Sequence, residues 1–109
     1  VRDDVGQVFA ALSDPTRRQM LGTLLEEGST SVPALTAQLP ITRQAIAKHL
    51  AMLGEAGLVE RAPSAGREVR YRPRPQALRP AAAWLAEADA AWERRLTRLK
   101  QTIEGRRQS

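Results

Sequence analysis

Residues 32–73 read VPALTAQLPITRQAIAKHLAMLGEAGLVERAPSAGREVRYRP. Val32, Leu35 and Leu39 recur at helical spacing, which predicts a short helix, and Pro33 is tolerated in its first turn. Leu39-Pro40-Ile41 breaks it. Thr42 suits the capping position of a second helix that runs to about Ala56 and is stopped by Gly57. Ile46, Leu50 and Leu53 line one face of that helix, and Ile41 and Leu58 close its ends. Two strand-like runs follow, 58–61 and 67–72, joined through Pro63-Ser64-Ala65-Gly66 and ended by Pro73 and Pro75. Helix, turn, helix and hairpin in this order predict a winged helix-turn-helix, a mainly α fold with a small β-hairpin.

The flanking segments extend the pattern. Val5, Val8, Phe9 and Leu12 fall at i, i+3, i+4 and i+7, an amphipathic helix over 3–12. Ser13-Asp14-Pro15 then breaks and restarts the chain, with Asp14 as cap and Pro15 at the first helical position. The next helix should place Met20, Leu21, Leu24 and Leu25 inward and end at Gly28. Ser29-Thr30-Ser31 reads as a loop. Beyond the hairpin, Leu78, Leu85, Ala88, Trp92, Leu96, Leu99 and Ile103 predict a long helix over 76–104, with a frayed tail after it. The 109 residues fit one domain, 1–109, with the helix-turn-helix at 32–56 and the wing at 58–73.

Composition narrows the chemistry. There is no cysteine and one histidine, His49, so disulfides, thiolate sites and multi-histidine metal sites within the chain are excluded. No apolar run approaches the roughly 18 residues of a membrane span. The opening VRDDVGQVFAALSDP shows no basic segment leading into a long apolar one, so no secretory leader, no membrane partner and a cytoplasmic location are expected. No spacing assembles a nucleophile, a base and an orienting group, and no Gly-rich phosphate cradle is present, so neither an enzyme nor a cofactor is expected.

The net charge of +5 is unevenly spread. Residues 1–41 carry 3 basic and 5 acidic groups, residues 42–74 carry 7 and 3, and residues 75–109 carry 7 and 4. The basic excess thus begins with the second helix of the motif, an electrostatic footprint for a polyanion such as double-stranded DNA.

About 100° per residue turns Gln44, Lys48, Ala51 and Glu55 away from the core face, with Arg43 and Ala47 beside them. The N-terminal half of such a helix meets base edges, which selects Thr42, Arg43, Gln44, Ala47 and Lys48. Gln pairs with adenine, Arg or Lys with guanine, and a small Ala reaches a thymine methyl. His49, at the edge of the core face, is open to a packed structural role or a phosphate contact. In the wing, Val69 and Tyr71 alternate with Glu68, Arg70 and Arg72, giving one packed and one basic face. Arg61 comes from the opposite strand and Arg67 lies near the tip, placed to enter a minor groove or grip phosphate.

AIAKHLAMLGEAGLVERAPSAGREVRYR (45–72) and FAALSDPTRRQMLGTLLEEG (9–28) resemble the ArsR-type winged-helix repressors. The resemblance spans 5–72, and the long last helix is consistent with it. It implies a homodimeric transcription factor on an inverted-repeat operator, usually a repressor, with first and last helices at the dimer interface. Val5, Val8 and Phe9 would join Leu85, Trp92, Leu96 and Leu99 there. Metal-sensing members often carry a cysteine pair in the helix before the reading helix, whereas SVPALTAQL (31–39) has none. Others place Asp and His ligands on the last helix, but Glu87, Asp89 and Glu93 have no histidine beside them. The resemblance is therefore to the metal-independent members, and no metal ligand is assigned.

Two other functions are compatible with the same residues. A small organic effector could act near the dimer interface, where Ala81–Ala83 and Ala90–Ala91 flank the tryptophans. Alternatively the fold could serve as a protein-interaction module, in which case alanine at Gln44, Lys48 and Arg67 would cost nothing.

Overall fold

The computed structural model describes residues 3–108. Five helices and three short strands follow in the order α1 (Asp4–Ala11), α2 (Pro15–Glu27), β1 (Thr30–Ser31), α3 (Val32–Gln38), α4 (Arg43–Glu55), β2 (Val59–Ala62), β3 (Arg70–Pro73) and α5 (Arg79–Gln108). A single 3₁₀ turn, Pro75–Leu78, leads into α5.

The starts of α1, α2, α3 and α4 are each fixed by a side-chain oxygen that takes an otherwise orphaned amide. Asp3 accepts from Gly6 N at 2.8 Å and Asp14 from Thr16 N at 2.7 Å. Ser31 accepts from Ala34 N at 3.2 Å and Thr42 from Ala45 N at 3.1 Å. The end of α4 is equally defined. Gly57 sits at φ 78°, donates to Gly54 O at 3.0 Å, and lets Leu58 N reach back to Leu53 O at 2.9 Å. This Schellman geometry needs the left-handed backbone that glycine adopts without strain. It turns the chain directly from α4 into the wing and brings fully buried Leu58 against fully buried Leu53.

The core is the aliphatic set Met20, Leu21, Leu24, Leu35, Leu39, Ile46, Leu50, Leu53, Leu58 and Val59, with Val8, Ala11 and Ala81 sealing one side. Truncating one of its fully buried leucines to alanine should cost about 2–5 kcal/mol.

Several expectations are corrected. The loop at 29–31 contains a strand: Thr30 pairs with Tyr71 and Ser31 with Arg70, so β3 is the centre of a sheet ordered β1-β3-β2. Two residues are too few to show an alternating pattern in sequence. The third strand begins at Arg70, not 67, and Val69 is exposed instead of packed. Leu25 also faces outward, one position beyond the buried stripe of α2. Val8, expected at a dimer surface, is only 2% exposed and belongs to the core of its own chain. Residues 76–78 form the 3₁₀ turn, and α5 continues beyond 104 through Gln108, while Ser109, the last residue of the expected tail, lies outside the described residues.

The shape is set by α5. Its 30 residues span about 45 Å. The radius of gyration is 20.2 Å, against about 13 Å for a compact chain of this length. Only the first turns of α5 meet the body, through buried Ala81 and an edge-to-face contact of Trp84 with Phe9 at 5.9 Å. Beyond them Trp92, Leu96, Leu99 and Ile103 are uncovered, Trp92 being 55% exposed. Leu85, Trp92 and Leu99 repeat every seven residues, as do Leu96 and Ile103, so the apolar side chains share one face. Among the described residues no helix is long and apolar enough to cross a membrane.

Candidate nucleic-acid interface

The inward face of α4 is locked by Ile46, Leu50 and Leu53, which forces the opposite face outward. Thr42, Arg43, Gln44, Ala47 and Lys48 are all exposed there, as the helical period demands. Thr42 is first of all the N-cap of the helix. Arg43 and Lys48 have no ion pair or side-chain hydrogen bond among the described residues, so both cations stand free on either side of Gln44 and Ala47.

The four wing arginines separate into two kinds. Arg61 and Arg67 are exposed and without an ion pair or side-chain hydrogen bond among the described residues. Arg72 instead donates from Nε to Glu60 Oε1 at 2.8 Å, across the β2–β3 register that pairs these two residues. Arg74 Nε lies 3.5 Å from the other oxygen of the same carboxylate. Arg70 reaches back to the start of the sheet, donating to Ser29 Oγ at 3.0 Å and Ser29 O at 3.2 Å, with Glu68 at 3.5 Å. Arg70 and Arg72 therefore brace the wing, and the free cations are Arg61 and Arg67. The loop is further tied by the Ser64 hydroxyl, which donates to the Glu68 carbonyl.

His49 is half-buried, with Nδ1 3.4 Å from Nη1 of Arg17. Arg17 was not singled out from the sequence. It is 7% exposed and donates to the carbonyl of Ala11 at 2.6 Å, that of Ala10 at 3.3 Å, and Met52 Sδ at 3.4 Å. The signal was present: Arg17 lies at i, i+3, i+4 and i+7 with Met20, Leu21 and Leu24, on the buried stripe of α2. Next to it the amide of Arg17 holds the Asp14 carboxyl below its ordinary value. The Thr16 amide and the charge of Arg17 act the same way, against partial burial that raises it.

No group of three or more His, Cys, Asp or Glu gathers closely enough to hold a metal ion among the described residues. Glu87 is instead engaged by Arg94 at 3.3 Å along α5.

A helix whose outer face pairs free cations with Gln44, set beside a β-hairpin carrying two more free arginines, defines a winged-helix DNA-binding protein. Known proteins give the family. A family described as a helix-turn-helix domain matches residues 12–62. The HTH-type transcriptional regulator Rv2034 of Mycobacterium tuberculosis is 36% identical over 90% of this chain and 87% of its own. An uncharacterised HTH-type regulator of Bacillus subtilis, YuzN, is 44% identical over 60% of this chain and 73% of its own. The structure of an ArsR-like transcriptional regulator from a Rhodococcus strain superposes with a TM-score of 0.75 at 45% identity, covering 90% and 91% of the two chains. The chain belongs to the ArsR-type winged helix-turn-helix transcriptional regulators, a DNA-binding and non-enzymatic class.

Proposed function

We propose that the protein is a homodimeric repressor that binds an inverted-repeat operator and does not sense metal through Cys or His ligands. The observation that carries this reading is the outer face of α4. Arg43, Gln44, Ala47 and Lys48 read base edges there, while Arg61 and Arg67 of the wing hold phosphate. Thr42 caps the reading helix and lies within reach of the backbone. Arg70 and Arg72 keep the wing in shape.

The partner in the dimer is a second copy of the chain. Leu85, Trp92, Leu96 and Leu99 leave an apolar face on α5 longer than a monomer in water commonly tolerates. Exposed Phe9 continues it onto α1, and Val5 lies beside it. A two-fold axis through these helices sets two reading helices on successive major grooves, about 34–36 Å apart. Repression is what the family resemblance implies, and a cytoplasmic location follows from DNA as the partner. Selection of duplexes from a random pool tests the reading directly: the protein should enrich an inverted repeat, with affinity that falls steeply with salt.

One feature favours an effector-responsive variant of the same function. An open groove of about 460 Å³ lies between α1 and α4, lined by Gln7, Ala10, Ala11, Met52, Glu55 and Ala56. That volume suits a small organic molecule. It differs in place from the alanine-rich stretch of α5 that the sequence suggested. A compound that binds this groove should shift operator affinity.

A further inference from the structure

We infer that Arg17 is a positioning residue for DNA recognition: its guanidinium fixes the angle of α4 against α1, and so the separation of the two reading helices. This rests on the dimeric reading proposed above.

A buried guanidinium is tolerated only when its donors and charge are matched. The end of α1 supplies the match. Nε and Nη2 donate to the Ala11 and Ala10 carbonyls in the last turn of that helix, at the negative end of its dipole. Asp14 Oδ2 adds a carboxylate 3.9 Å from Nη1. Neighbours in sequence complete the joint: Arg18 donates to Leu12 O at 2.6 Å and Ser13 Oγ to Ala10 O at 2.7 Å. The end of α1 is thus held firmly to the start of α2.

What remains of the Arg17 fork points at α4. Nη1 lies 3.4 Å from both His49 Nδ1 and Met52 Sδ, which are three residues apart on one edge of that helix. Arginine only donates, so His49 Nδ1 accepts and its ring proton sits on Nε2. This leaves the imidazole oriented by the protein and not aimed at DNA through Nδ1. The planar fork constrains angle as well as distance. Arg17 adds direction to the apolar contact that Val8 and Ala11 of α1 make with the core. Helix α1 packs mainly on α5, whereas α4 packs mainly on α2, α3 and β2. Between α1 and α4 lies the open groove, with Ala10, Ala11 and Met52 on its walls. Since α1 also carries Phe9 against Trp84, Arg17 joins the helices assigned to the dimer to the helix assigned to the bases.

The test uses the absence of native cysteine, which allows unique labelling. Spin labels at Asp4→Cys and Ala51→Cys, in protein diluted with unlabelled chain, report the α1–α4 distance distribution by pulsed electron paramagnetic resonance. His49→Leu and Met52→Leu remove one acceptor each with little change in volume. His49→Asn keeps an acceptor at the Nδ1 position. The distribution should broaden in both leucine variants and return to the parent width in His49→Asn. An unchanged distribution in both leucine variants would overturn the inference. On an operator selected by the parent protein, His49→Leu should lose about tenfold in affinity, the order of one mismatched base pair. It should also lose its preference for half-site spacing, while random-duplex affinity and salt slope stay as they were. Equal losses on both duplexes with a shallower salt slope would make His49 a phosphate contact and sink the positioning role. Failure of the parent protein to select any duplex would count against the operator reading, and the distance distribution would still judge the clamp.

Discussion

Arg72 and Glu60 face each other across the wing, Nε to Oε1 at 2.8 Å, and this pair separates bracing arginines from free ones. The second oxygen of Glu60 lies 3.5 Å from Arg74 Nε, an ion pair without a hydrogen bond, so one carboxylate faces two cations. A phosphate approaching the wing meets unrestrained charge only at Arg61 and Arg67. The expected contrast is clear in salt titrations. Arg67→Ala should weaken binding to all duplexes and reduce the salt slope by about one, the loss of a phosphate contact. Arg72→Ala should leave that slope near the parent value. Glu60→Gln should raise random-duplex affinity by releasing both guanidinium groups from an ionic partner.

Gln44 occupies the exposed N-terminal half of α4, where the helix axis can enter a major groove. Gln44→Ala should relax specificity at one base position in each half-site. A good bidentate contact is worth about 1–3 kcal/mol of discrimination, so the loss should appear on the preferred base and vanish on the others. Competition binding with duplexes substituted at each position checks this.

Leu99 is 55% exposed in the chain alone and lies in the middle of the uncovered face of α5. Leu99→Glu places a charge where the proposed partner helix packs. Sedimentation should show dimers of the parent protein and monomers of this variant at the same concentration, and operator binding of the variant should fall to the affinity of a single half-site.

Asp14 caps α2 with an ionised carboxylate whose proton affinity is lowered by the Arg17 amide first and the Thr16 amide after it. A carboxyl with a depressed folded-state value stabilises the fold above its unfolded value and loses that contribution as pH falls through the folded one. Thermal melts should therefore show a decline on the acid side that is shallower in Asp14→Asn, a variant that still caps but does not titrate.

The segment 32–73 made the fold legible because each part carried a local signal: helical period, Thr42 as cap, Gly57 as stop, and a hairpin bounded by prolines. The outward side of α4 followed from the same period, since Ile46, Leu50 and Leu53 leave only one way for Arg43, Gln44 and Lys48 to point. What stayed hidden depended on contacts distant in sequence. Thr30 pairs with Tyr71, forty-one positions away, and nothing in two residues announces a strand. Arg70 turns to Ser29 and Arg72 to Glu60 because of sheet geometry, so counting arginines overstated the free charge of the wing. Val8 lies on the same amphipathic helix as Phe9, yet only the packed structure separates its core-facing position from the outward one.

The central claim is that two copies place two reading helices on one operator, and footprinting on a duplex selected from a random pool tests it most directly. Two protected half-sites about 10–10.5 base pairs apart, centre to centre, with two chains bound per duplex, are the predicted result. One protected half-site with a single chain bound, or no salt-dependent duplex binding at all, would contradict the account.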